Sequence, residues 1–251
     1  MEFGELLSTF EPITLAEMDG VKLMDRTDTK FVFRIEKLAE LLPLLQADYK
    51  VLVIDECRIS DYETVYFDTD DFYFFQQHQR GKANRQKVRI RTYLSSNQHF
   101  LEVKTKNNKS RTIKERIKCK EDNLILTEKV KNFLDKQLLL DNSLLHPVLT
   151  VNYSRITLVH KHIPQRLTID IALRFKQKDQ EKELFEIAIA ELKRERAHGN
   201  NLALLLHSLH IHKASFSKYC FGLVFLYKNL KINNFKLKIQ TLDKILSSHS
   251  L

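Results

Sequence analysis

The chain has only three cysteines in 251 residues, Cys57, Cys119 and Cys220, and they stand far apart with no paired spacing. That argues against a disulfide framework and against a zinc site, and it fits a reducing compartment. Five glycines and four prolines leave no low-complexity linker, and no internal repeat is evident. No uninterrupted apolar stretch approaches the ~20 residues of a membrane span. The segment Met1 to Gly20 carries Glu2, Glu5, Glu11, Glu17 and Asp19, and it lacks the basic start and apolar core of a secretory signal. The expectation is a cytoplasmic protein.

What is present suits one substantial globular unit. Hydrophobic residues make up 43% of the chain, enough for a sizeable core in the size range of a single barrel-like domain. A formal net charge of +9 and a pI near 9.3 favour an anionic partner: nucleic acid, an anionic membrane surface or a phosphorylated small molecule.

The basic residues are patterned. Arg85, Lys87, Arg89 and Arg91 occupy every second position, as do Lys104 and Lys106 after Glu102, and Lys114, Arg116 and Lys118. Successive strand residues point to opposite faces, so each run places its cations on one face. Strand signals lie at Thr29–Ile35, Val51–Ile54, Asp61–Phe67, Lys87–Leu94, His99–Lys106, Arg111–Lys118, Val148–Val159, Arg166–Phe175 and Leu184–Lys193. Helical spacing appears in Ile35–Leu45, Leu124–Leu140, Leu202–Leu209 and Phe216–Tyr227. Eight or nine strands against four or five helices predict an α+β protein dominated by one antiparallel sheet.

Periodicity alone leaves two readings of the basic faces. Half-buried antiparallel strands carry charge on a solvent face. In the alternative, a closed sheet turns its basic face inward onto a polyanion and covers its apolar face with helices. Unpaired cations about 8 Å apart repel by on the order of 2 kcal/mol at an effective dielectric near 20. An inward face therefore calls for an anionic ligand or compensating carboxylates.

An ordered set of short motifs separates these readings. Arg26-x-x-x-Lys30, Thr64-x-Tyr66-Phe67-Asp68-Thr69, Lys87-x-Arg89-x-Arg91, Leu101-Glu102-x-Lys104, Lys114-x-Arg116, Tyr153-x-Arg155, Arg166-x-Thr168-Ile169-Asp170, Glu191-Leu192-Lys193 and Phe216-Ser217-Lys218-Tyr219 together resemble the VTC domain. That domain is the polyphosphate polymerase branch of the triphosphate tunnel metalloenzymes, and the free-standing bacterial type is the nearest in length. The resemblance implies an antiparallel β-barrel tunnel of about eight strands with helices packed outside. It implies a phosphate-binding lining of Lys30, Arg89, Arg91, Lys104, Lys114, Arg155, Arg166 and Lys218, with Tyr153, Ser217 and Arg116 touching substrate. Glu191 looks like the ligand of a divalent cation, Mn2+ or Mg2+. The implied reaction joins the terminal phosphoryl group of ATP to a growing polyphosphate chain. The implied tunnel domain spans 1–228, with core motifs in 24–220.

One departure bears on the reaction. Hydrolytic relatives share an N-terminal Glu-x-Glu-x-Lys strand whose carboxylates bind metal, whereas the aligned stretch is Arg26-Thr27-Asp28-Thr29-Lys30. Losing the first carboxylate weakens a second metal site of the kind that activates water. Polymerase is therefore the expectation, with a triphosphatase or tripolyphosphatase as the alternative that Asp28 keeps open, and a non-catalytic polyphosphate- or nucleotide-binding module ranked below both.

Other residues are read more plainly. His78 is expected to be structural rather than a phosphohistidine, and His207, His210 and His212 to be surface or capping residues, because they lack the i, i+4 pair with an acidic partner of helical zinc sites. Asp68 and Asp170 are expected to orient Arg and Lys. A nucleic-acid surface would interleave aromatic rings with its cations, and the Lys87–Arg91 run has none until Tyr93, so nucleic acid is not expected as a partner. The tail 229–251 combines lysines with Leu230, Phe235, Ile239, Leu242 and Ile245. Packing on its own domain is expected, with a peripheral membrane or membrane-protein partner as the alternative.

Overall fold

The computed structural model describes residues 3–19, 26–109, 111–120, 127–195 and 201–247. Residues 1, 2, 20–25, 124–126 and 248–251 of the expected segments lie outside them. In chain order the elements are α1 (Phe3–Ser8), β1 (Pro12–Ile13), α2 (Leu15–Asp19), β2 (Arg26–Arg34), α3 (Leu38–Leu45), β3 (Tyr49–Leu52), β4 (Ile59–Asp68) and α4 (Tyr73–Gln79). Then follow β5 (Arg85–Tyr93), β6 (Gln98–Lys106), β7 (Thr112–Cys119), α5 (Glu128–Gln137), β8 (His146–His160) and β9 (Gln165–Gln177). The chain continues through β10 (Gln180–Leu184), β11 (Ile187–Glu195), α6 (Asn201–Ser208), α7 (Lys218–Leu226) and α8 (Lys236–Ser247).

The sheet runs β2-β11-β9-β8-β4-β5-β6-β7, and every pairing along that path is antiparallel. It curls but does not close: among the described residues β2 and β7 exchange no ladder, which corrects the expected barrel. The reason lies at the outer edge of β2. Ala214 N–H donates to Lys30 O at 2.9 Å, Phe31 bridges Lys213, and the Lys30 ammonium donates to Phe216 O at 3.3 Å. The segment leading into α7 thus occupies the backbone groups that a closing strand would use.

Two clusters flank this curled sheet. On the convex side, Leu38, Leu41, Leu42 and Leu45 of α3 pack with Leu7 and Leu206 against Ile156, Leu158, Leu167 and Ile169. The α3 leucines recur at helical spacing, so one stripe of the helix is buried. Val88, Ile90, Leu101 and Val103, the apolar alternates of β5 and β6, share a cluster with Val130, Leu134 and Leu138 of and after α5.

The concave face divides into a charged and an apolar half. Between Asn152↔Arg174 and Ser154↔Ile171, β9 spends one more residue than β8, with Ala172 at φ 52°. That bulge brings even-numbered Asp170 and odd-numbered Phe175 to the same face. Toward Arg155 and Asp170 the face is charged. Toward Val151 and Phe175 it is apolar, and α7 packs there; a Cβ on Gly222 would meet Leu149 Cδ2 at 2.6 Å and Phe175 Cδ1 at 2.8 Å, so glycine sets the approach of the helix. The tail continues this packing: Phe235 and Leu242 are buried in the same cluster, with Ile239, Ile245 and Leu246 against it. No helix among the described residues is long and apolar enough to cross a membrane.

Candidate active site

The charged half of the concave face holds a cavity of about 240 Å³ lined by nine cationic side chains and three carboxylates. Seven strands and the start of α7 supply those charged groups. Of the twelve residues implied by the resemblance, Lys30, Arg89, Arg91, Lys104, Lys114, Arg155, Glu191, Ser217 and Lys218 line it. Arg116, Arg166 and Tyr153 do not. Arg116 lies beyond Lys114 on the same face of β7, and Arg166 beyond Asp170 on β9. Tyr153 is buried beneath the cations, its ring 4.4 Å from Lys218 Nζ and 5.4 Å from the Arg155 guanidinium.

Two buried carboxylates organise the cations. Glu102 is fully buried and receives Arg89 Nε at 2.8 Å and Nη2 at 2.6 Å, together with the Lys114 ammonium. Register explains the meeting, since Glu102 lies opposite Arg89 on β5 and next to the Lys104–Lys114 row of β6 and β7. Burial pushes the Glu102 carboxyl up, but Arg89, Arg91 and Lys114 hold it well below the usual carboxylate range. Asp170 accepts two bonds from Arg155, at 2.6 and 2.9 Å, and one from Lys218, and is held low against its burial by the same partners. Asp170 therefore orients cations as its position suggested. Asp68 does not: its carboxylate caps α4 through the N–H groups of Phe74 and Phe75, at 2.9 and 3.0 Å, and takes the Tyr219 hydroxyl.

Glu191 is held differently. It is 22% exposed, 3.8 Å from Lys30 and 3.5 Å from Lys193. Burial opposes its charge, yet Lys193, Lys30 and Lys104 bring it down to about 2. No group of three His, Cys, Asp or Glu side chains suited to a metal occurs among the described residues. The chain can offer Glu191, with Asp28 lining the same cavity. That donor set fits a hard divalent cation whose remaining ligands are phosphate oxygens and water, the usual arrangement for Mg2+.

At the helical end, Ser217 caps α7 by accepting the Cys220 N–H at 3.3 Å and also accepts from Lys87 Nζ at 2.9 Å. With both lone pairs engaged, its own O–H is left to donate into the cavity. Lys87 lines the cavity although only its neighbours in the alternating run were expected there; the period-2 pattern was the signal for it. Aromatic rings lie under the cations, Tyr219 at 5.5 Å from Lys87, Tyr66 at 6.0 Å from Arg89 and Tyr62 at 5.6 Å from Arg91. His78 is half-buried against Gln86 O and pushed down to about 2, first by desolvation and then by Lys87 and Arg85, so it is a neutral structural group. His207 and His212 contact each other at an exposed corner, with ring centroids 5.4 Å apart.

Crowding leaves its mark on the lysines. Burial pushes Lys87 and Lys114 down to about 8, and Arg89 together with burial pushes Lys104 well below the ordinary lysine value. A bound polyanion reverses this by favouring the charged forms. Triphosphate binding is therefore expected to take up protons above pH 8, and affinity to fall as pH rises from about 8 to 9.5. The folding linkage has the matching sign: lysines depressed in the folded state penalise it most at low pH, so ligand-free stability rises as pH climbs through about 8. Calorimetric titration of tripolyphosphate at pH 8.5 in two buffers of different ionisation enthalpy reads the uptake directly. Equal apparent enthalpies would contradict it.

The comparisons with known proteins agree with this architecture. A family model described as the VTC domain matches residues 25–227. Among solved structures, bh2851 from Bacillus halodurans, a proposed adenylate cyclase, aligns at 15% identity over 77% of this chain and 96% of its own, with a TM-score of 0.51. HpAC1 from Hippeastrum, a proposed adenylyl cyclase with a dominant triphosphatase activity, aligns at 12% identity over 83% of this chain and 99% of its own, with a TM-score of 0.49. The first of these shows a shared fold. No curated protein matches the sequence significantly. With the family model running from the first residues of β2 to the end of α7, the chain belongs to the VTC domain family.

Proposed function

We propose that this protein is a metal-dependent polyphosphate polymerase that transfers the terminal phosphoryl group of ATP to the end of a growing polyphosphate chain. The observation that carries the reading is the charge imbalance of the cavity, nine cations against three lining carboxylates and the buried Glu102 behind Arg89 and Lys114. Such an excess draws in an anion of several charges, because cations about 8 Å apart repel by on the order of 2 kcal/mol at an effective dielectric near 20.

Phosphoryl transfer needs positioning and charge stabilisation more than covalent help. An oxygen of the acceptor's end phosphate attacks the γ-phosphorus of ATP, a new P–O bond forms, the bond to the β-phosphate oxygen breaks, and ADP leaves with that electron pair. The acceptor is already anionic near neutral pH, so no strong base is required. Arg155 and Lys218, locked by Asp170, present fixed charges, and Arg91 presents a guanidinium able to hold two phosphate oxygens. Ser217 donates its hydroxyl. A divalent cation held by Glu191 would supply charge neutralisation as negative charge develops on the transferring phosphoryl group.

Incubation of the pure protein with ATP and Mn2+ or Mg2+, with and without a short polyphosphate primer, tests the proposal. Acid-labile polymer and ADP are expected in step, faster with primer. Asp28 on the cavity wall is what favours the triphosphatase reading. Orthophosphate as sole product from ATP or tripolyphosphate, at every primer concentration, would establish that reading instead.

A further inference from the structure

The concave face carries a second feature just outside the phosphate cavity. Four aromatic rings from four neighbouring strands form a continuous row: Phe100 to Tyr93 at 5.7 Å, Tyr93 to Tyr62 at 5.1 Å, and Tyr62 stacked on Tyr153 at 5.3 Å. They are distinct in exposure. Tyr62 and Tyr153 are buried under Arg91, Arg155 and Lys218, whereas Phe100 and Tyr93 are half-buried. The Arg116 guanidinium lies over the Phe100 ring at 4.8 Å, and Arg116 is itself exposed.

The register fixes where this half-open end lies. Phe100 is the cross-strand partner of Arg91, which lines the cavity, and sits two residues before Glu102, the carboxylate that anchors Arg89 and Lys114. Arg116 sits two residues after Lys114. Two strand residues span about 7 Å, which is the reach of a ribose between a triphosphate and its base. Only a ligand with a polyanion at one end and a flat π-system at the other uses both features.

We propose that Phe100, with Arg116 above it, is the base-stacking site for the nucleoside triphosphate donor, so that this end of the concave face distinguishes a nucleotide from an inorganic triphosphate. The inference rests on the reading of the cavity as a triphosphate site. A ring face beside an exposed guanidinium accepts a purine by stacking and offers no hydrogen-bond readout of the base. Purines are therefore preferred over pyrimidines by stacking area alone, and adenine is not distinguished sharply from guanine.

The test is calorimetric titration of two probes, a non-hydrolysable ATP analogue and inorganic tripolyphosphate, into the wild type, Phe100→Ala and Phe100→Leu. Losing the ring is expected to weaken the ATP analogue about tenfold or more, to shrink the preference for ATP over UTP analogues, and to leave tripolyphosphate within about twofold. Phe100→Leu keeps apolar bulk but no π-face, so it is expected to behave as the alanine variant does toward nucleotide while melting like the wild type. If Phe100 serves only as cross-strand packing, both probes weaken together or neither does, and either result overturns the proposal. Failure of tripolyphosphate to bind the wild type would instead remove the triphosphate reading on which it rests.

Discussion

Replacing Arg91 with alanine is expected to cut turnover by roughly 100- to 1,000-fold, the cost of removing one charge contact to a transition state, while the fold survives. Arg89→Ala is expected to act on the fold first, lowering the melting temperature sharply as well as the turnover. The two arginines are neighbours on one face of β5, and the sequence treats them alike, but their surroundings differ. The buried Nε of Arg91 has no hydrogen-bond partner among the described residues, and its guanidinium lies over Tyr62. Its charge pushes Lys104 down and also helps hold Glu102 ionised, so its loss relieves one repulsion, weakens one attraction and leaves the ligand-free melting temperature nearly unchanged. Arg89 is 9% exposed and bonded to a carboxylate that is fully buried. Removing one partner of such a pair costs about 3–5 kcal/mol, a large share of the ~5–15 kcal/mol that holds a domain together. Thermal melting and ATP turnover on both variants would read this difference. Wild-type turnover in Arg91→Ala would sink the phosphate site; wild-type melting of Arg89→Ala would sink the structural role of its pair with Glu102.

Strands were legible because a period of two survives any neighbour: the runs at Lys87–Leu94, His99–Lys106 and Arg111–Lys118 reappear as β5, β6 and β7 within a residue or two. The helix expected at Phe216–Tyr227 is α7, which begins after the cap Ser217. Short elements were not legible. α4 starts from Phe72 in the left-handed region and is held by Asp68, which accepts from N–H groups six and seven residues on, outside the usual capping spacing. The stretch Leu184–Lys193 reads as one strand, but it breaks into β10 and β11 at residues 185–186. Barrel closure could not be read either, because it depends on residues 213–216 reaching the edge of β2, a contact some 180 positions away in sequence. In the site, cations were legible by their alternation, and the carboxylates that lock them were less so. Nothing in the string says that Glu102 is buried until register places it between Arg89 and Arg116, with Lys114 reaching it diagonally.

Glu191→Gln is expected to abolish metal-dependent turnover while leaving metal-free triphosphate binding nearly intact. The substitution keeps size and hydrogen-bonding atoms and removes only the charge. Glu191 is ionised throughout the neutral range, since its lysine neighbours bring it to about 2, yet its ion pairs at 3.5 and 3.8 Å are loose and partly exposed. Exposed pairs contribute about 0–1 kcal/mol; Glu191 is less exposed and is held low by three lysines, so the melting temperature is expected to fall modestly, the larger effects being on metal affinity and turnover. This separates Glu191 from Glu102 and Asp170, whose oxygens are bonded at hydrogen-bond distance by fixed cations and which are poorly free to take a metal. Tripolyphosphate still meets the lysines and arginines in the variant, and its metal-free affinity even rises slightly as one negative charge leaves the wall. Mn2+ affinity, followed by the loss of its free-ion paramagnetic resonance signal in the presence of tripolyphosphate, is expected to fall by at least tenfold, because phosphate oxygens alone then hold the ion. If instead the role is a salt bridge to Lys193, the variant melts earlier but binds Mn2+ as before and turns over normally at a permissive temperature. Retained metal-stimulated turnover with unchanged Mn2+ affinity would remove Glu191 from the site and leave the cavity a pure cation trap, the state expected of a polyphosphate-binding module rather than a polymerase.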